Sequence, residues 1–313
     1  MTQGLAGLLA VIRVDFDPYL RLRGPVAFAI RWETLIVALA VLLGLLVAAR
    51  FAARSGRRTG LAPLRLDDLL YIALGAAPGA LVGGRLFYAL DYLDYYRANP
   101  GALANTGQGS LSLLGAVVGA TLTAAVIARL LDGPVGRWLD VASTSLLLVI
   151  GLGKLAQLAA GGGQGLAWDG PWALAFTGPG PWLSVAPAVP AQPAALYEAI
   201  WALLGIPVTF ALHAGPLLRA LPGSLKQEGR WAQARASRGE EVARGRLRFG
   251  YLYAAALVWW LAGRIAIASV WRDERVLGPF CVEQLAGLAV VALLVGGVAA
   301  SALRRRGTAA AFG

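Results

Sequence analysis

Cysteine and histidine are almost absent from this chain, and their scarcity excludes several classes of site. Cys281 and His213 are the only residues of their types, so the chain can form neither an internal disulfide nor a thiolate or imidazole metal cage. Charged residues are also few, at 14% of 313, whereas 58% are hydrophobic and the mean hydropathy is +0.64. Soluble domains carry about 25% charged residues. The composition therefore predicts an integral membrane protein and not a large soluble helical core.

The few charges that are present are mostly basic, and they give a net charge of +11. These residues cluster between apolar segments and do not line one soluble face, so they indicate membrane topology and no nucleic-acid partner.

Apolar runs long enough to cross about 30 Å of hydrocarbon recur along the chain. They predict seven spans, at about 32–52, 67–92, 110–132, 139–160, 194–214, 250–271 and 283–302. The connections after the odd-numbered spans hold 17 Lys and Arg, against seven in the remaining connections and the first 31 residues. By the positive-inside rule, the N-terminus is predicted outside and the C-terminus in the cytoplasm. We expect one all-α transmembrane domain over residues 1–313.

Two connections between spans differ in composition. Residues 215–248 are basic and also contain acidic residues, which is typical of a solvated cytoplasmic loop near anionic lipid and does not require a dedicated partner. Residues 161–192 contain no Lys or Arg and are rich in Gly, Pro and Trp. Gly and Pro break regular structure and Trp favours the headgroup layer, so this connection is predicted to be an extracytoplasmic lid or head.

Four ionisable side chains fall within predicted spans at positions from which they cannot easily reach water: Arg85, Lys154, Glu198 and Arg264. Each costs about 2.5–3.5 kcal/mol to insert, so each must face protein, water or a charged ligand. They could pair internally, for example Glu198 with Arg264 as a clamp between helices. Because three cations face one anion, we expect two positive charges to remain for an anionic lipid headgroup in a cavity between helices.

The surroundings of Arg85 allow close approach to its helix. Gly83 and Gly84 remove side chains from one surface, which permits tight helix packing or contact with a headgroup. Tyr88 and Tyr92 follow on the face of Arg85 by helical spacing. Tyr92, Tyr95 and Tyr96 are also typical of an aromatic belt at the membrane interface. In the fifth span, Glu198 follows Tyr197 in a first helical turn, where a carboxylate is favourable without any catalytic role.

These segments, in this order, resemble the bacterial prolipoprotein diacylglyceryl transferases over nearly the whole chain. The resemblance lies in "GPVAFAIRWETLIVALAVLLGLLVA", in "GGRLFYALDY" with Arg85, Tyr88 and Tyr92, in "ALYEA" with Tyr197 and Glu198, in "LAGRIAIASVWR" with Arg264, and in "VEQLAGL" with Gln284.

The sequence departs from the family at several polar positions. Leu114 and Gln192 each stand where the family has a histidine. A family signature rich in Arg, Asn and Glu is degraded in "GKLAQLAAGGGQGL". There the replacements are Lys154, Gln157, Ala160, Gly162 and Leu166, and Arg272 lies one residue later than a family arginine.

The resemblance implies a multi-pass enzyme of the bacterial plasma membrane that needs no metal or cofactor. Such an enzyme moves diacylglyceryl from phosphatidylglycerol to a cysteine thiol in a prolipoprotein signal peptide. We expect Arg85, Lys154, Glu198 and Arg264 to be catalytic. The residues expected to bind substrate are Gly83, Gly84, Tyr88, Gln157, Tyr197 and Gln284. A relative that binds phospholipid or peptide without turnover is the alternative, and a transporter would leave the matched motifs unexplained.

Overall fold

A computed structural model gives the structure of the protein and describes residues 11–22, 28–59, 64–104, 111–214 and 250–310. The basic connection predicted at 215–248 lies outside these residues.

The described residues are mostly helical, as the composition predicted. The helices are α1 (Trp32–Thr59), α2 (Leu66–Asp91), α3 (Leu93–Ala98), α4 (Leu113–Leu130), α5 (Val135–Ala159), α6 (Ala194–Ala214), α7 (Tyr251–Ile267) and α8 (Val282–Ala310). Short 3-10 helices cover Pro100–Ala104 and Ala268–Val270. Each of the seven predicted spans coincides with one long helix, and most of the predicted ends lie within a few residues of the observed ones.

Six of these helices, α1, α2, α4, α5, α6 and α7, are long and apolar enough to cross a bilayer. In α8 the apolar stretch among the described residues is Val282–Gly297, which is shorter than the others. The chain is therefore an all-α integral membrane protein with at least these six candidate spans. The orientation of the two termini stays a prediction.

The strands are short and lie outside the spans. They are β1 (Ile12–Val14), β2 (Tyr19–Leu22), β3 (Phe28–Arg31), β4 (Leu174–Phe176), β5 (Arg275–Leu277) and β6 (Phe280–Cys281). β1 pairs in parallel with β4, while β2–β3 and β5–β6 are antiparallel pairs. Thus the connection at 161–192 contributes a strand to a sheet with the N-terminal part of the chain.

Contacts inside the 161–192 connection hold it in a defined conformation. Gln164 is buried, and its amide donates to the carbonyl of Leu174 over 2.8 Å. The Trp182 ring packs on Phe16 and Phe176, with centroids 5.3 and 5.1 Å away. Trp182 thus contributes to the packing of this segment as well as suiting the headgroup layer. Whether the segment covers the outer leaflet remains a prediction.

The chain divides into two compact units. One comprises residues 1–47, 144–210 and 256–284, and the other comprises residues 48–143, 211–255 and 285–313. In the second unit a core cluster consists of Ala48, Ala52, Leu64, Ile72, Ala128, Trp138 and Val141. There, the Asp140 carboxylate accepts hydrogen bonds from the backbone N–H groups of Gly250 and Leu252, over 2.9 and 3.0 Å. It therefore satisfies donors at the start of α7 that have no partner within the helix.

Glycine allows α2 and α4 to pack with their backbones in contact. A Cβ added at Gly119 would lie 2.1 Å from the carbonyl oxygen of Gly79, and one at Gly83 would lie 2.4 Å from that of Gly115. Close backbone approach of this kind is how small residues stabilise helix pairs in membranes. Gly83 and Gly84 are therefore used for helix packing, which is one of the two roles expected for them.

We expect Gly119→Ala to lower the free energy of unfolding by about 1–3 kcal/mol, because the new methyl group meets backbone that cannot rotate away. Unfolding by SDS titration in mixed micelles measures the change. Gly296→Ala is the control, since it adds the same methyl group in α8, where no atom lies within 4 Å. Equal stability of the two variants would contradict the packing described here.

Candidate functional site

Three of the four predicted intramembrane charges meet in the first unit, together with a fourth residue. Lys154 on α5 places its Nζ 2.9 Å from Oε2 of Glu198 on α6. Arg264 on α7 pairs with Glu198 through Nη1 and with Glu283 of α8 through Nη2. These four side chains, called the charge cluster below, are at most 15% exposed. The internal clamp considered from the sequence is thus present.

The charge cluster corrects one expectation from the sequence. Two cations, Lys154 and Arg264, face two carboxylates, Glu198 and Glu283, so the cluster is formally neutral and leaves no unpaired positive charge. Sequence reasoning missed Glu283, which occupies the first turn of α8 beside the predicted Gln284. Its acidic character at the start of an apolar helix was a usable signal. First-turn carboxylates are so common, however, that the signal alone does not indicate a site.

Trp271 packs against the charge cluster and links its parts. The indole Nε1 donates a hydrogen bond to Oε1 of Glu198 over 2.6 Å. The ring faces both cations, with Nζ of Lys154 and Cζ of Arg264 at 4.8 and 5.5 Å from its centroid. A desolvated cation over tryptophan gains about 2 kcal/mol. Trp271 follows the 3-10 turn Ala268–Val270 that ends α7, and this turn brings the ring back to the cations.

Asp273 lies at the solvent edge of this region, beyond the end of the α7 span. Partial burial raises the pKa of its carboxyl group, while the positive charge of Arg264 acts in the opposite direction. Asp273 therefore binds a proton at a higher pH than an ordinary aspartate.

A pair of tryptophans sets the register between the helices that carry Glu198 and Arg264. Trp201 on α6 donates from Nε1 to the carbonyl of Trp259 on α7 over 2.7 Å, and Trp259 donates to the carbonyl of Trp201 over 2.9 Å. The two rings stack, with centroids 4.7 Å apart and an interplanar angle of 13°. Each ring lies over a glycine of the other helix, Trp201 over Gly263 and Trp259 over Gly205.

This reciprocal contact, called the tryptophan clasp below, has a direct effect on the charge cluster. Trp201 lies three residues after Glu198, and Gly263 immediately precedes Arg264. A slip of one helix along the other would break both indole hydrogen bonds and move the carboxylate away from the guanidinium. The tryptophan clasp therefore positions the ion pair.

The other predicted substrate-binding residues of this unit have partners within the protein. Oε1 of Gln157 accepts a hydrogen bond from Lys154 over 3.4 Å, and the Tyr197 hydroxyl accepts one from Trp172 over 2.8 Å. The Gln284 amide donates to the carbonyl of Ile265 over 2.9 Å and accepts from the backbone N–H of Cys281 over 3.1 Å. Gln284 therefore ties the start of α8 to the end of α7.

Arg85 belongs to the second unit. Its Nη2 donates to the carbonyl of Ala102 over 2.7 Å and its Nε to that of Leu103 over 3.2 Å. The guanidinium lies 5.6 Å from the ring centroid of Tyr96. The tilted rings of Tyr88 and Tyr92 pack together with centroids 4.6 Å apart, which agrees with their predicted placement on one face.

The aromatic-belt interpretation fits only part of the tyrosine segment. Tyr92 and Tyr95 are exposed, as belt residues are, but Tyr96 is buried beside Arg85. The phenol ring of Tyr96 is thus part of the surroundings of the arginine.

Comparison with known proteins agrees with this arrangement of segments. The family model for prolipoprotein diacylglyceryl transferase matches residues 22–222, which is more than half of the chain. The chain belongs to the prolipoprotein diacylglyceryl transferase family. The recognition made from the sequence motifs is confirmed.

Similar proteins that carry the name phosphatidylglycerol-prolipoprotein diacylglyceryl transferase come from several bacteria. The protein of Nostoc sp. is 28% identical over 306 residues, covering 95% of this chain and 94% of its own. That of Bacillus cereus is 25% identical over 270 residues, covering 86% of each. That of Beijerinckia indica is 31% identical over 220 residues, covering 67% of this chain and 76% of its own.

The motif resemblance places apolar or small residues of this chain at several positions where the family is expected to have polar ones, and this stays a prediction. Leu114, which the sequence motifs predict at a histidine position of the family, is only 2% exposed in α4, and Ala160 is fully buried. Neither side chain can transfer a proton, so any acid–base chemistry must come from other groups.

The tryptophan clasp predicts a clear effect of Gly263→Ala. The added methyl group would lie 2.0 Å from Cδ1 of Trp201, whose ring is held by stacking and by its hydrogen bond. We expect a loss of about 1–3 kcal/mol in the free energy of unfolding. Gly153→Ala, next to Lys154 on α5 with no atom within 4 Å, should leave stability within about 0.5 kcal/mol of wild type. Chemical unfolding in micelles compares the two variants, and matching midpoints would show that the ring moves freely.

Proposed function

We propose that this protein transfers the diacylglyceryl group of phosphatidylglycerol to the thiol of a cysteine in a prolipoprotein signal peptide, at the outer face of the bacterial plasma membrane. The observation that carries the proposal is the buried charge cluster, which lies in a chain of this family. Two of its members, Glu198 and Arg264, were expected from the family motifs, and Lys154 stands where the family has arginine.

The reaction places two demands on the protein. A thiolate sulfur attacks the glyceryl carbon that is bound to a phosphate oxygen, so that a C–S bond forms and the C–O bond breaks. The electron pair of that bond leaves with the phosphate, and glycerol phosphate is released. The thiol proton must pass to a base, because a free thiol has a pKa near 8.5. The charge that grows on the departing phosphate must be stabilised.

Lys154 and Arg264 are proposed to stabilise the charge that grows on the departing phosphate. A guanidinium can contact two phosphate oxygens at once, and a lysine acts as a point charge. Glu198 holds both cations, and Trp271 covers them, so the side chains are oriented before the lipid arrives. Pre-oriented charge at low dielectric stabilises a developing anion more than flexible charge in water does.

Glu283 is the proposed base for the thiol proton. It is the more exposed of the two carboxylates, at 15% against 2% for Glu198, and it has one cationic partner while Glu198 has two. The phosphate of an incoming lipid therefore replaces Glu283 on Nη2 of Arg264. The released carboxylate then accepts the thiol proton, a task for which the chain has no histidine at position 114.

A relative without turnover is the second candidate. The formal neutrality of the charge cluster and the apolar Leu114 favour it, since both reduce the chemistry that is ready before the lipid binds. Such a protein would bind phosphatidylglycerol or the signal peptide and release both unchanged.

Turnover distinguishes the two candidates. Purified protein in nanodiscs with phosphatidylglycerol and a cysteine-containing signal peptide should form thioether product, detected by mass spectrometry. We expect Arg264→Ala and Lys154→Ala each to lower kcat/KM by about 10²–10³-fold, as loss of a group that stabilises developing charge does. Arg85→Ala tests the predicted role of Arg85 separately.

Arg97→Ala is the control for these variants, because Arg97 is 70% exposed and its change should not affect turnover. Binding of lipid and peptide without product in wild type would establish the non-catalytic relative. Unchanged turnover in all three site variants would eliminate the proposed site.

Glu283→Gln tests the exchange step. Removing the charge that competes for Arg264 should lower the KM for phosphatidylglycerol about tenfold, which corresponds to about 1.4 kcal/mol. The same change removes the proposed base, so kcat should fall by about 10²-fold or more. Glu274→Gln alters an exposed carboxylate in the connection between α7 and α8 and should change neither value. A variant of Glu283 that raised KM and left kcat unchanged would contradict both roles.

A further inference from the structure

We infer that the cavity beneath β1 and β4 binds an apolar side chain of the signal peptide, while the peptide backbone lies extended along the free edge of β1. This inference rests on the proposed function for the presence of a peptide substrate. It adds the place where the peptide is held and the chemistry that selects it.

The cavity lies within the first unit and has a volume of about 350 Å³. Its walls include Ile12, Val14 and Phe16 from β1 and the residues after it, Leu174 and Phe176 from β4, and Leu158 from α5. Alternate residues of a strand point to the same face, so the side chains from β1 and β4 form one apolar surface of the sheet, and Leu158 adds to the wall from α5. Pockets for small ligands span roughly 300–1,000 Å³. This cavity is therefore suited to one or a few side chains.

The cavity lies close to the charge cluster along the chain. Leu158 follows Lys154 by one helical turn on α5, and residues four apart share a helix face. Leu196, which also lines the cavity, comes two residues before Glu198 on α6. A peptide anchored here would thus extend only a few residues before it reached the proposed reaction centre.

The free edge of β1 favours a peptide over a lipid acyl chain. β1 contacts β4 through the backbone of Ile12 and Val14, as in the bonds from Ile12 N–H to Ala173 and from Thr177 N–H to the carbonyl of Val14. In a parallel ladder the N–H and C=O of the residue between them, Arg13, face the other way. No other strand in the described part of the chain pairs with that edge.

An extended peptide can add to such an edge by backbone hydrogen bonds, with alternate side chains entering pockets. A hydrocarbon chain has no groups that could use the donor and acceptor of Arg13. A signal peptide supplies backbone N–H and C=O groups for the edge and apolar side chains for the cavity. The apolar side chains come from a region of about 7–15 residues that precedes its processing site.

Trp172 forms part of the cavity wall, and its side chain has an apolar ring and a polar N–H group. It is half exposed, and its indole N–H donates to the Tyr197 hydroxyl. Its φ is +55°, a conformation that costs a bulky residue roughly 1–2 kcal/mol. The surrounding structure therefore holds this side chain in place against that cost.

Photo-crosslinking tests the occupant directly. A signal peptide with photo-leucine near its cysteine, added to the full-length protein in phosphatidylglycerol nanodiscs, should crosslink to residues 12–16, 158 or 174–176. A parallel sample contains phosphatidylglycerol with a photoreactive acyl chain. Crosslinks from the lipid and none from the peptide would overturn the inference, and so would the absence of both.

Leu158→Phe narrows the cavity and should raise the KM for the peptide about tenfold without changing that for phosphatidylglycerol. The control is Val185→Phe, in the same connection as β4, where the side chain is fully exposed. An equal effect on both substrates, or an effect of the control as large as that of Leu158→Phe, would contradict a peptide site.

Peptides with single backbone N-methyl groups test the edge pairing. Strand addition uses every second amide of the peptide. An N-methyl group should therefore weaken peptide binding at alternate positions and leave it unchanged at the positions between them. Equal binding of all the peptides would overturn the β1 contact. If the wild-type protein crosslinks the peptide but makes no thioether, the proposed function fails and the binding site remains.

Discussion

The structure of the first unit depends on one carboxylate, that of Glu198, which pairs with two buried cations. Inserting Lys154 and Arg264 into hydrocarbon costs about 2.5–3.5 kcal/mol each, and Glu198 offsets this cost because its two oxygens reach one cation each. Three different helices must then keep these atoms within a few ångströms of one another. Removing one partner of a buried pair leaves an uncompensated charge, which destabilises more than the pair itself stabilises. The packing of α5, α6 and α7 is therefore constrained by chemistry as well as by shape.

The tryptophan clasp shows how that constraint is met between α6 and α7. Dispersion and small residues bring membrane helices together, but they do not by themselves fix the position of one helix along the other. Two indole N–H groups that each bind a carbonyl of the opposite helix do fix it, and the two glycines opposite the rings allow the approach. In the second unit, close backbone contact at Gly79, Gly83, Gly115 and Gly119 brings α2 and α4 together. In that unit no ion pair joins the two helices among the described residues.

Much of this fold is predictable because the length of an apolar run is a local property. All seven spans therefore coincide with helices. Three of the four residues of the charge cluster were predictable. Lys154, Glu198 and Arg264 are conspicuous because they interrupt apolar helices, whereas Glu283 resembles an ordinary first-turn carboxylate. Its pairing with Arg264 depends on the turn through residues 268–281, which no periodicity encodes. The parallel pairing of β1 with β4 joins residues about 160 positions apart, and strands of three residues give no usable alternation. Buried Tyr96 was missed for a similar reason, since its environment comes from Arg85 on another helix.

The neutrality of the charge cluster changes how anion recognition should be understood in this chain. A site with excess positive charge would attract any anion, and its cost in the empty protein would be high. A balanced site is stable while empty and admits a phosphate only by exchange for a carboxylate, so the affinity is the difference between two ion pairs and not the full strength of one. Selectivity must then come from contacts that the phosphate alone does not make. The proposed peptide site in the apolar cavity beside α5 would provide such contacts, because binding energy gained away from the reacting atoms can offset the proposed exchange at Arg264. Peptide and lipid would in this way each contribute to opening the same ion pair.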